Sequence, residues 1–355
     1  MQLFSPVSLG SLELDNRIVM APLTRTRSNA DGVPNDLNVE HYAQRASTGL
    51  IVTEGTYPTA GSQAYPGQPG IETDEQAAGW ARVADAVHAN GGKIVMQLMH
   101  GGRVTHPLIN NGLTIFAPSA HAIEGVAHTP EGPLPYPVPT AATTDDIARI
   151  VAEHVSAARR AVDAGLDGVE VHSANGYLLH EFLSPVSNTR TDSYGGSPEN
   201  RARFGAEVIT AIAQAIGADR VGVRISPEHN IQDVLETDPD ETRATYEALV
   251  DAIAPLGLAY LSVLHAEPSS ELVQDLRARF GGAFLVNNGF GTMTTRDGAL
   301  ALVDEGTADA VVVGRPLIAN PDLVRRWRED ADLNEPNPAT FYGSGPEGYT
   351  DYPTL

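Results

Sequence analysis

The sequence contains no cysteine and only one lysine, Lys93. Without cysteine the chain cannot form disulfides, cysteine-ligated iron–sulfur clusters or thiolate zinc sites, and it has no thiol nucleophile. Its 23 basic residues are outnumbered by 45 acidic residues, which gives a formal net charge of -22. Because this charge repels phosphate groups, we expect binding neither to nucleic acid nor to anionic membranes. The acidity is typical of adaptation to high salt and also of an arginine-preferring genome, and both interpretations stay open.

Long apolar runs are also missing. No segment of about 18 apolar residues occurs, and the N-terminus has no charged region followed by an apolar one, so we expect no membrane span, no signal peptide and a cytoplasmic location. The chain of 355 residues, of which 42% are hydrophobic, is long enough to bury a full core. One large α/β barrel and two smaller domains both suit this length, and we favour a single domain.

Short apolar segments alternate with helix-like segments along the chain. The candidate strands are residues 17–22, 50–56, 93–100, 168–173, 221–227, 258–265, 284–289 and 310–315. The candidate helices are residues 35–47, 74–90, 144–164, 197–216, 240–254, 269–280, 294–305 and 320–329, several of them preceded by a capping residue. This alternation predicts an α/β fold of the (β/α)8 TIM-barrel type with a parallel inner sheet. A doubly wound sheet is the alternative, but no strand leads into the GxGxxG turn of a dinucleotide site.

Two segments lie outside this repeat. Residues 106–143 follow the third candidate strand and are rich in proline, glycine and alanine, which predicts an active-site loop or lid. Residues 334–355 carry proline, glycine and aromatic residues without helical periodicity. Such a composition is more often a loose terminus, but its tyrosines favour a tail that packs near the active site.

Three polar side chains follow the fourth candidate strand: His172, Asn175 and Tyr177. In parallel α/β barrels the active site lies at this C-terminal end of the strands. His172 and Asn175 can donate hydrogen bonds to one oxygen atom, and Tyr177 carries a phenolic proton with a pKa of about 10 that can pass to a carbanion. We therefore predict that these residues are catalytic.

Glycine-rich turns follow the last two candidate strands. They contain Gly289 and Gly291 in the first turn, and Gly314 and Arg315 in the second. Barrels commonly bind a phosphate group at this position through backbone amides and a cation. Glycines that only form tight strand-to-helix turns are the alternative.

The ends of other strands suit a flat redox cofactor. Arg224 follows the fifth candidate strand, where its charge favours a cofactor that becomes anionic on reduction, such as a flavin. A salt bridge from Arg224 to Glu170 or Asp233 is the alternative. The ends of the first three strands offer a hydroxyl, an uncrowded position and an amide, which are Thr24, Gly55 and Gln97.

The residues also bear on other functions that a barrel of this kind can have. A phosphate-binding aldolase or isomerase uses a Schiff-base lysine or paired carboxylates, whereas Lys93 begins its strand at the opposite end of the barrel. His100, His172 and His180 raise the question of a metal site, but no HExxH motif or carboxylate cluster accompanies them, so we predict no metal. A protein that binds a flavin without turnover stays open.

Six motifs in the chain resemble those of a known family. They are APLTR (21–25), MQLMHGGR (96–103), EVHSANGYLLHEFLSPVSNTRTDSYGGSPENR (170–201), VRISP (223–227), GRPLIANPDL (314–323) and EGYTDYP (347–353). They resemble the old yellow enzyme family of FMN-dependent ene-reductases, most of all its N-ethylmaleimide and pentaerythritol tetranitrate reductase branch. The resemblance runs from residue 2 to the last residue. It implies one FMN-binding TIM-barrel domain over residues 1–355, with non-covalent FMN, NADPH or NADH as hydride donor, and a monomer or homodimer.

The resemblance also implies roles for single residues. The flavin ring would be contacted by Pro22, Thr24, Gly55, Gln97 and Arg224. The phosphate would be bound by Gly289, Gly291, Gly314 and Arg315. The substrate oxygen would be held by His172 and Asn175, with Tyr177 as proton donor. The remaining pocket wall would include Tyr65, Met99 and Tyr349.

The implied reaction has two half-reactions at one site. NAD(P)H reduces FMN, and hydride then passes from the flavin N5 to the β-carbon of an α,β-unsaturated aldehyde, ketone, imide or nitroalkene, while Tyr177 protonates the α-carbon. The chain departs from the family pattern in places. Met99 stands where many relatives have a bulky aromatic residue, and Thr24 rather than cysteine argues against the branch with a thiol over the flavin.

Overall fold

The computed structural model describes residues 1–355 and contains a closed barrel of eight parallel strands. We number them β1 (Ile18–Met20), β2 (Leu50–Val52), β3 (Ile94–Leu98), β4 (Gly168–Ser173), β5 (Val221–Ile225), β6 (Tyr260–Leu264), β7 (Phe284–Asn287) and β8 (Ala310–Val313). Neighbours in the barrel are neighbours in sequence, and β8 closes the barrel by pairing Val312 with Val19 of β1. The predicted (β/α)8 barrel is confirmed.

The helices alternate with these strands. They are α1 (Asp36–Ala43), α2 (Asp74–Ala89), α3 (Thr144–Asp163), α4 (Leu178–Leu183), α5 (Pro198–Ile216), α6 (Pro239–Ile253), α7 (Glu271–Phe280), α8 (Arg296–Asp304), α9 (Arg315–Ala319) and α10 (Leu323–Glu329). The longest ones begin at side-chain caps, because Thr143 accepts a hydrogen bond from the N–H of Asp146 and Ser197 from that of Asn200. None of the helices has the length and apolar composition that crossing a membrane requires.

The core lies on both sides of the barrel wall, since alternate strand residues face opposite sides. Outward-facing residues pack against the helices in a cluster of 58 buried residues. Inward-facing residues form a cluster of 13, to which the antiparallel hairpin of Val7–Leu9 and Leu12–Leu14 contributes three leucines. Inside the barrel, Gly222 makes room for a ring, because a Cβ there would lie 2.1 Å from Cζ of Tyr260.

Two irregular segments cover the C-terminal end of the barrel. The segment after β3 contains a hairpin of Val126–Thr129 with Gly132–Pro135, and a parallel pairing of Phe116–Ala117 with Thr140–Ala141. The C-terminal tail has one 3-10 turn, Pro338–Thr340, and folds back so that Tyr349 is fully buried. Both segments therefore bring loop residues to the end of the barrel where the strands terminate.

Candidate active site

A cavity of about 900 Å³ opens at the C-terminal end of the barrel. Its wall includes most of the residues predicted from the sequence: Pro22, Thr24, Tyr65, Gln97, Met99, His172, Asn175, Tyr177, Arg224, Gly289, Gly314 and Arg315. Barrel enzymes place their active sites at this end, where the loops after the strands converge. Residues far apart in sequence thus share one concave site of the size that small ligands occupy.

Two predicted residues lie close to the cavity without lining it. A Cβ at Gly55 would lie 2.5 Å from Sδ of Met99, so the glycine makes room for the Met99 side chain in the wall. Gly291 belongs to the turn after β7, next to Phe290, which does line the cavity. Each glycine therefore contacts or adjoins a residue that lines the cavity, Gly55 in space and Gly291 in sequence.

Tyr349 does not line the cavity, which corrects the expectation that it would. It is 0% exposed and stacks on His41 with ring centroids 3.8 Å apart. Arg25 and Arg27 lie over its ring at 5.2 and 4.7 Å from the centroid, in cation–π geometry. Tyr349 therefore fastens the tail to the barrel.

The tail still contributes to the cavity, through Phe341 and Tyr342. Sequence reasoning missed these two residues, as it missed His128 in the segment after β3 and Phe290 and Met293 after β7. The only signal for Phe341 and Tyr342 was an aromatic pair in a segment without helical periodicity. Aromatic rings at the mouth of a cavity suit flat, conjugated ligands.

Arg224 is buried inside the end of the barrel, at 3% exposure, and lies directly across from His172 in the strand register. Its Nη1 donates a hydrogen bond of 3.4 Å to Oγ of Ser262, and its Nε has no partner. The alternative of a salt bridge is not realised. The carboxylate of Glu170 accepts instead from Gln97, at 2.8 Å, and from a tyrosine hydroxyl.

Asp233, the other carboxylate weighed for Arg224, accepts a hydrogen bond from the backbone N–H of Glu124. Burial lowers the pKa of Arg224, and the carboxylate of Glu170 opposes that shift. The guanidinium is thus a buried cation with an unused donor, and a ligand with an acceptor atom or a negative charge would satisfy it.

His172 and Asn175 also carry unused polar atoms. Burial, with the charge of Arg224 as the second cause, holds the pKa of His172 well below its ordinary value, so the imidazole is neutral at pH 7. Its Nδ1 has no partner, and neither does Oδ1 of Asn175. Asn175 has a left-handed backbone with φ of 57°, and it lines the cavity.

Tyr177 lies beside this pair. Its ring centroid is 5.2 Å from that of His172, and its hydroxyl is 2.8 Å from the hydroxyl of Tyr65. Burial raises the pKa of Tyr177 to about 12, so the phenol keeps its proton at neutral pH. The site therefore places a neutral acid next to two groups that can bind an oxygen atom.

The turns after β7 and β8 meet at the opposite wall. Nη2 of Arg315 donates to the carbonyl of Phe290 at 2.8 Å, and its other nitrogens have no protein partner. Gly289 has φ of 79°, and a Cβ at Gly291 would meet nothing within 4 Å. Open glycine backbone beside a cation is the combination that binds phosphate.

These residues fit FMN. The unpaired atoms of Arg224, His172 and Asn175 surround a cavity with room for a flat ring, and the Arg315 turn suits a phosphate at its edge. The chain matches the NADH:flavin oxidoreductase / NADH oxidase family over residues 2–334. It belongs to the old yellow enzyme family.

Individual relatives agree with this assignment. A probable flavin mononucleotide-dependent alkene reductase of Leishmania infantum is 43% identical over 99% of this chain and 97% of its own. The 12-oxophytodienoate reductase 7 of Oryza sativa subsp. japonica is 39% identical over 99% of this chain and 94% of its own. The sequence resemblance is thereby confirmed at the level of the family.

Solved structures give the same result. The old yellow enzyme homologue from Zymomonas mobilis has a TM-score of 0.94 and 38% identity, covering 100% of both chains. Morphinone reductase in complex with tetrahydroNAD has a TM-score of 0.93 and 45% identity, covering 100% of this chain and 98% of its own. This old yellow enzyme is therefore an FMN-dependent, NAD(P)H-linked oxidoreductase of the alkene reductase type.

Proposed function

We propose that this old yellow enzyme reduces the activated C=C bond of α,β-unsaturated aldehydes, ketones, imides and nitroalkenes. The observation that carries the proposal is the grouping of His172, Asn175 and Tyr177 on one wall of the cavity, the first two with unpaired polar atoms. Such substrates have one oxygen atom that gains negative charge and one carbon that needs a proton. The three side chains supply what each of these atoms requires.

The cofactor would occupy the barrel end of the cavity. The residues proposed to hold its ring are Pro22, Thr24, Gly55, Gln97 and Arg224. Those proposed for its phosphate are Gly289, Gly291, Gly314 and Arg315. When bound, FMN supplies the redox chemistry by taking hydride from NAD(P)H and giving it to the alkene β-carbon.

His172 and Asn175 would bind the substrate oxygen. The lowered pKa of His172 keeps its ring neutral, so it is a hydrogen-bond donor through one nitrogen and adds no full charge to the site. The Asn175 amide supplies the second donor. Hydrogen bonds to this oxygen become stronger as negative charge develops on it, so they lower the barrier more than they favour substrate binding.

Tyr177 would donate the proton to the α-carbon. Its raised pKa of about 12 ensures that the phenol is protonated throughout the neutral range. The hydroxyl of Tyr65 lies 2.8 Å from that of Tyr177 and would return a proton to it after each turnover, by donating the hydrogen bond between them. NAD(P)H and the alkene would use the same cavity in turn, which predicts ping-pong kinetics.

An anaerobic titration of the purified holoenzyme tests this function. The visible flavin absorbance should bleach with NADH or NADPH and return on addition of 2-cyclohexenone. Bleaching without recovery by the enone, by N-ethylmaleimide or by a nitroalkene would refute the proposed substrate class. Failure of both nicotinamides to bleach the flavin would refute the first half-reaction.

A further inference from the structure

The turn that presents Asn175 is held from behind by three buried side chains. His180 on α4 and Tyr246 on α6 are 0% exposed, and Glu236 in the loop after β5 is 7% exposed. None of the three lines the cavity, and the proposed chemistry uses none of them. We refer to them as the His180–Glu236–Tyr246 cluster.

His180 joins the turn to the rest of the cluster. Its Nδ1 accepts a hydrogen bond of 2.9 Å from the backbone N–H of Gly176. Because Nδ1 is an acceptor, the ring proton lies on Nε2, which donates to Oε1 of Glu236 at 3.0 Å. The histidine therefore works as a rigid bridge with a defined tautomer.

Glu236 is compensated by donors from several directions. The hydroxyl of Tyr246 donates to Oε1 at 2.9 Å, and the backbone N–H of Glu228 donates to Oε2 at 2.7 Å. Together with His180 these donors satisfy a buried carboxylate that has no arginine or lysine beside it. A fully satisfied network of this kind has one well-defined geometry.

The turn itself is strained and needs such support. Asn175 and Gly176 have φ of 57° and 79°, and a non-glycine residue such as Asn175 keeps this left-handed conformation only where its surroundings hold it. The backbone N–H of Asn175 donates to Oγ of Ser226 at 2.9 Å, and Nε2 of Gln232 donates to the Asn175 carbonyl at 2.8 Å. A Cβ at Gly176 would lie 2.8 Å from the carbonyl oxygen of Ile231. The turn after β4 and the loop after β5 are thus packed together and joined by hydrogen bonds.

These contacts converge on one side chain. The cluster fixes the N–H of Gly176 and the loop that bears Gln232, and both flank the Asn175 residue whose carboxamide reaches the cavity. We propose that the His180–Glu236–Tyr246 cluster positions the Asn175 carboxamide and thereby sets how tightly the site binds the substrate oxygen. The inference rests on the proposed function, in which Asn175 donates to that oxygen. The three residues are positioning residues, since they touch neither substrate nor cofactor.

Two substitutions of His180 test its two hydrogen bonds, to Gly176 and to Glu236, one at a time. Gln in His180→Gln can replace the Nε2 donor to Glu236 but leaves the Gly176 N–H without its acceptor. Asn in His180→Asn can replace the Nδ1 acceptor but does not reach Glu236. We expect His180→Gln to weaken binding of 4-chlorophenol, a mimic of the enolate, about tenfold, and His180→Asn to recover part of that affinity.

The affinity is measured on holoenzyme from the change in visible flavin absorbance during a phenol titration, with FMN content and melting temperature determined in parallel. For 2-cyclohexenone, KM should rise more than kcat falls. His154→Gln is the matched control, because His154 is equally buried on α3 and does not line the cavity. Its phenol affinity should equal that of the wild type.

The outcomes are separable. Wild-type phenol affinity in a folded His180→Gln variant would overturn the inference, and so would an equal loss in His154→Gln. If His180→Gln does not fold, Tyr246→Phe decides, since it removes one hydroxyl only. Unchanged phenol affinity there overturns the inference, and a loss of about threefold supports it. Wild-type holoenzyme that binds no phenol would instead refute the proposed oxygen site itself.

Discussion

The hydroxyl oxygens of Tyr65 and Tyr177 lie 2.8 Å apart in the wall of the cavity, with their rings edge to face. Burial raises the pKa of both phenols, that of Tyr177 to about 12. Both therefore keep their protons at neutral pH, and one hydroxyl donates a hydrogen bond to the other. Removing either hydroxyl by substitution with Phe therefore tests the proposed role of Tyr177 as proton donor.

Tyr177→Phe should slow reoxidation of the reduced enzyme by 2-cyclohexenone about 100-fold, because general acid catalysis is lost. Reduction of the flavin by NAD(P)H should stay nearly unchanged, since it needs no proton from Tyr177. Anaerobic stopped-flow spectroscopy measures the two steps separately. Tyr65→Phe is the companion variant and should slow reoxidation less. Equal losses in both half-reactions of Tyr177→Phe would contradict the proton-donor role.

Replacing His172 and Asn175 together by Ala should weaken 4-chlorophenol binding about 100-fold, since two hydrogen bonds to a charged oxygen are removed, each worth about tenfold. The FMN content of the variant should be close to that of the wild type. A phenol titration of holoenzyme gives the affinity. Wild-type affinity in the double variant would show that the oxygen binds elsewhere.

The barrel could be predicted from sequence because strands buried on both faces read as uninterrupted apolar runs. The short helices α4 and α9 were not predicted. Each begins within a few residues of a strand, at the motifs proposed for catalysis and for phosphate binding respectively, so no apolar periodicity has room to develop. Helices of this length depend on tertiary packing, which local sequence does not reveal.

The residues of the site likewise fall into those that the sequence predicted and those that it did not. Residues at strand ends, such as His172 and Arg224, could be placed because the barrel brings every strand end to one face. Tyr349 could not, because its burial depends on Arg25 and Arg27, more than 300 positions away in the chain. The contact between His180 and Glu236 was hidden for the same reason, since it joins α4, which follows β4, to the loop after β5.

The tail is fastened to the barrel by arginine. Arg27 donates hydrogen bonds to the carbonyls of Thr340, Phe341, Gly345 and Glu347, and together they hold the loop that lines the cavity. Arg27→Ala should loosen this loop, raise KM for enones and expose the tail to protease, because the carbonyls of Gly345 and Glu347 lose the donor that Arg27 supplies, while those of Thr340 and Phe341 keep only Arg25. Limited proteolysis with mass spectrometry locates the cuts.

Arg82→Ala is the matched control for this variant, because Arg82 is an exposed arginine paired with Asp36 on the surface. Its cleavage pattern and KM should be those of the wild type, as exposed ion pairs contribute little. Protection of the tail in Arg27→Ala equal to that in the control would refute the fastening role of Arg27.

Glu181 should make stability depend on pH. It is fully buried, its Oε1 accepts from the N–H of Arg103 at 2.8 Å, and its Oε2 has no partner. Burial raises its pKa from 4.5 to about 8, against the opposing charge of Arg103. The folded protein thus keeps a proton that the unfolded chain releases above pH 4.5, so this contribution to stability is complete below pH 4.5 and is lost as pH rises to about 8.

Glu181→Gln preserves the acceptor and removes the titration. The difference in unfolding free energy between wild type and variant should change by roughly 2 to 4 kcal/mol between pH 4.5 and 8, in favour of the variant at the higher pH. Urea denaturation at several pH values measures this difference, in which other titrating groups cancel. A difference that does not vary with pH would show that Glu181 titrates normally.

The cations around the cavity bear on the choice of hydride donor. Arg25, Arg224 and Arg315 line it, but Arg25 is bound to tail carbonyls, Arg224 is buried, and Arg315 is proposed to hold the FMN phosphate. Lys93, the only lysine, directly precedes β3 at the other end of the barrel, where it pairs with Asp167. The extra phosphate of NADPH therefore meets a chain of net charge -22 without a free cation at the site.

We expect kcat/KM for NADH to exceed that for NADPH by about tenfold at low salt, since the additional phosphate of NADPH is repelled and gains no ion pair. Raising the salt concentration to about 1 M shortens the Debye length to about 3 Å. The repulsion of NADPH is then screened, so its kcat/KM should rise and approach that of NADH. Stopped-flow flavin reduction with both nicotinamides over a salt series measures it. Faster reduction by NADPH at low salt would mean that an arginine now paired in the protein is released to bind the phosphate. If the ratio of the NADH to the NADPH rate did not change with salt, contact geometry and not charge would select the donor.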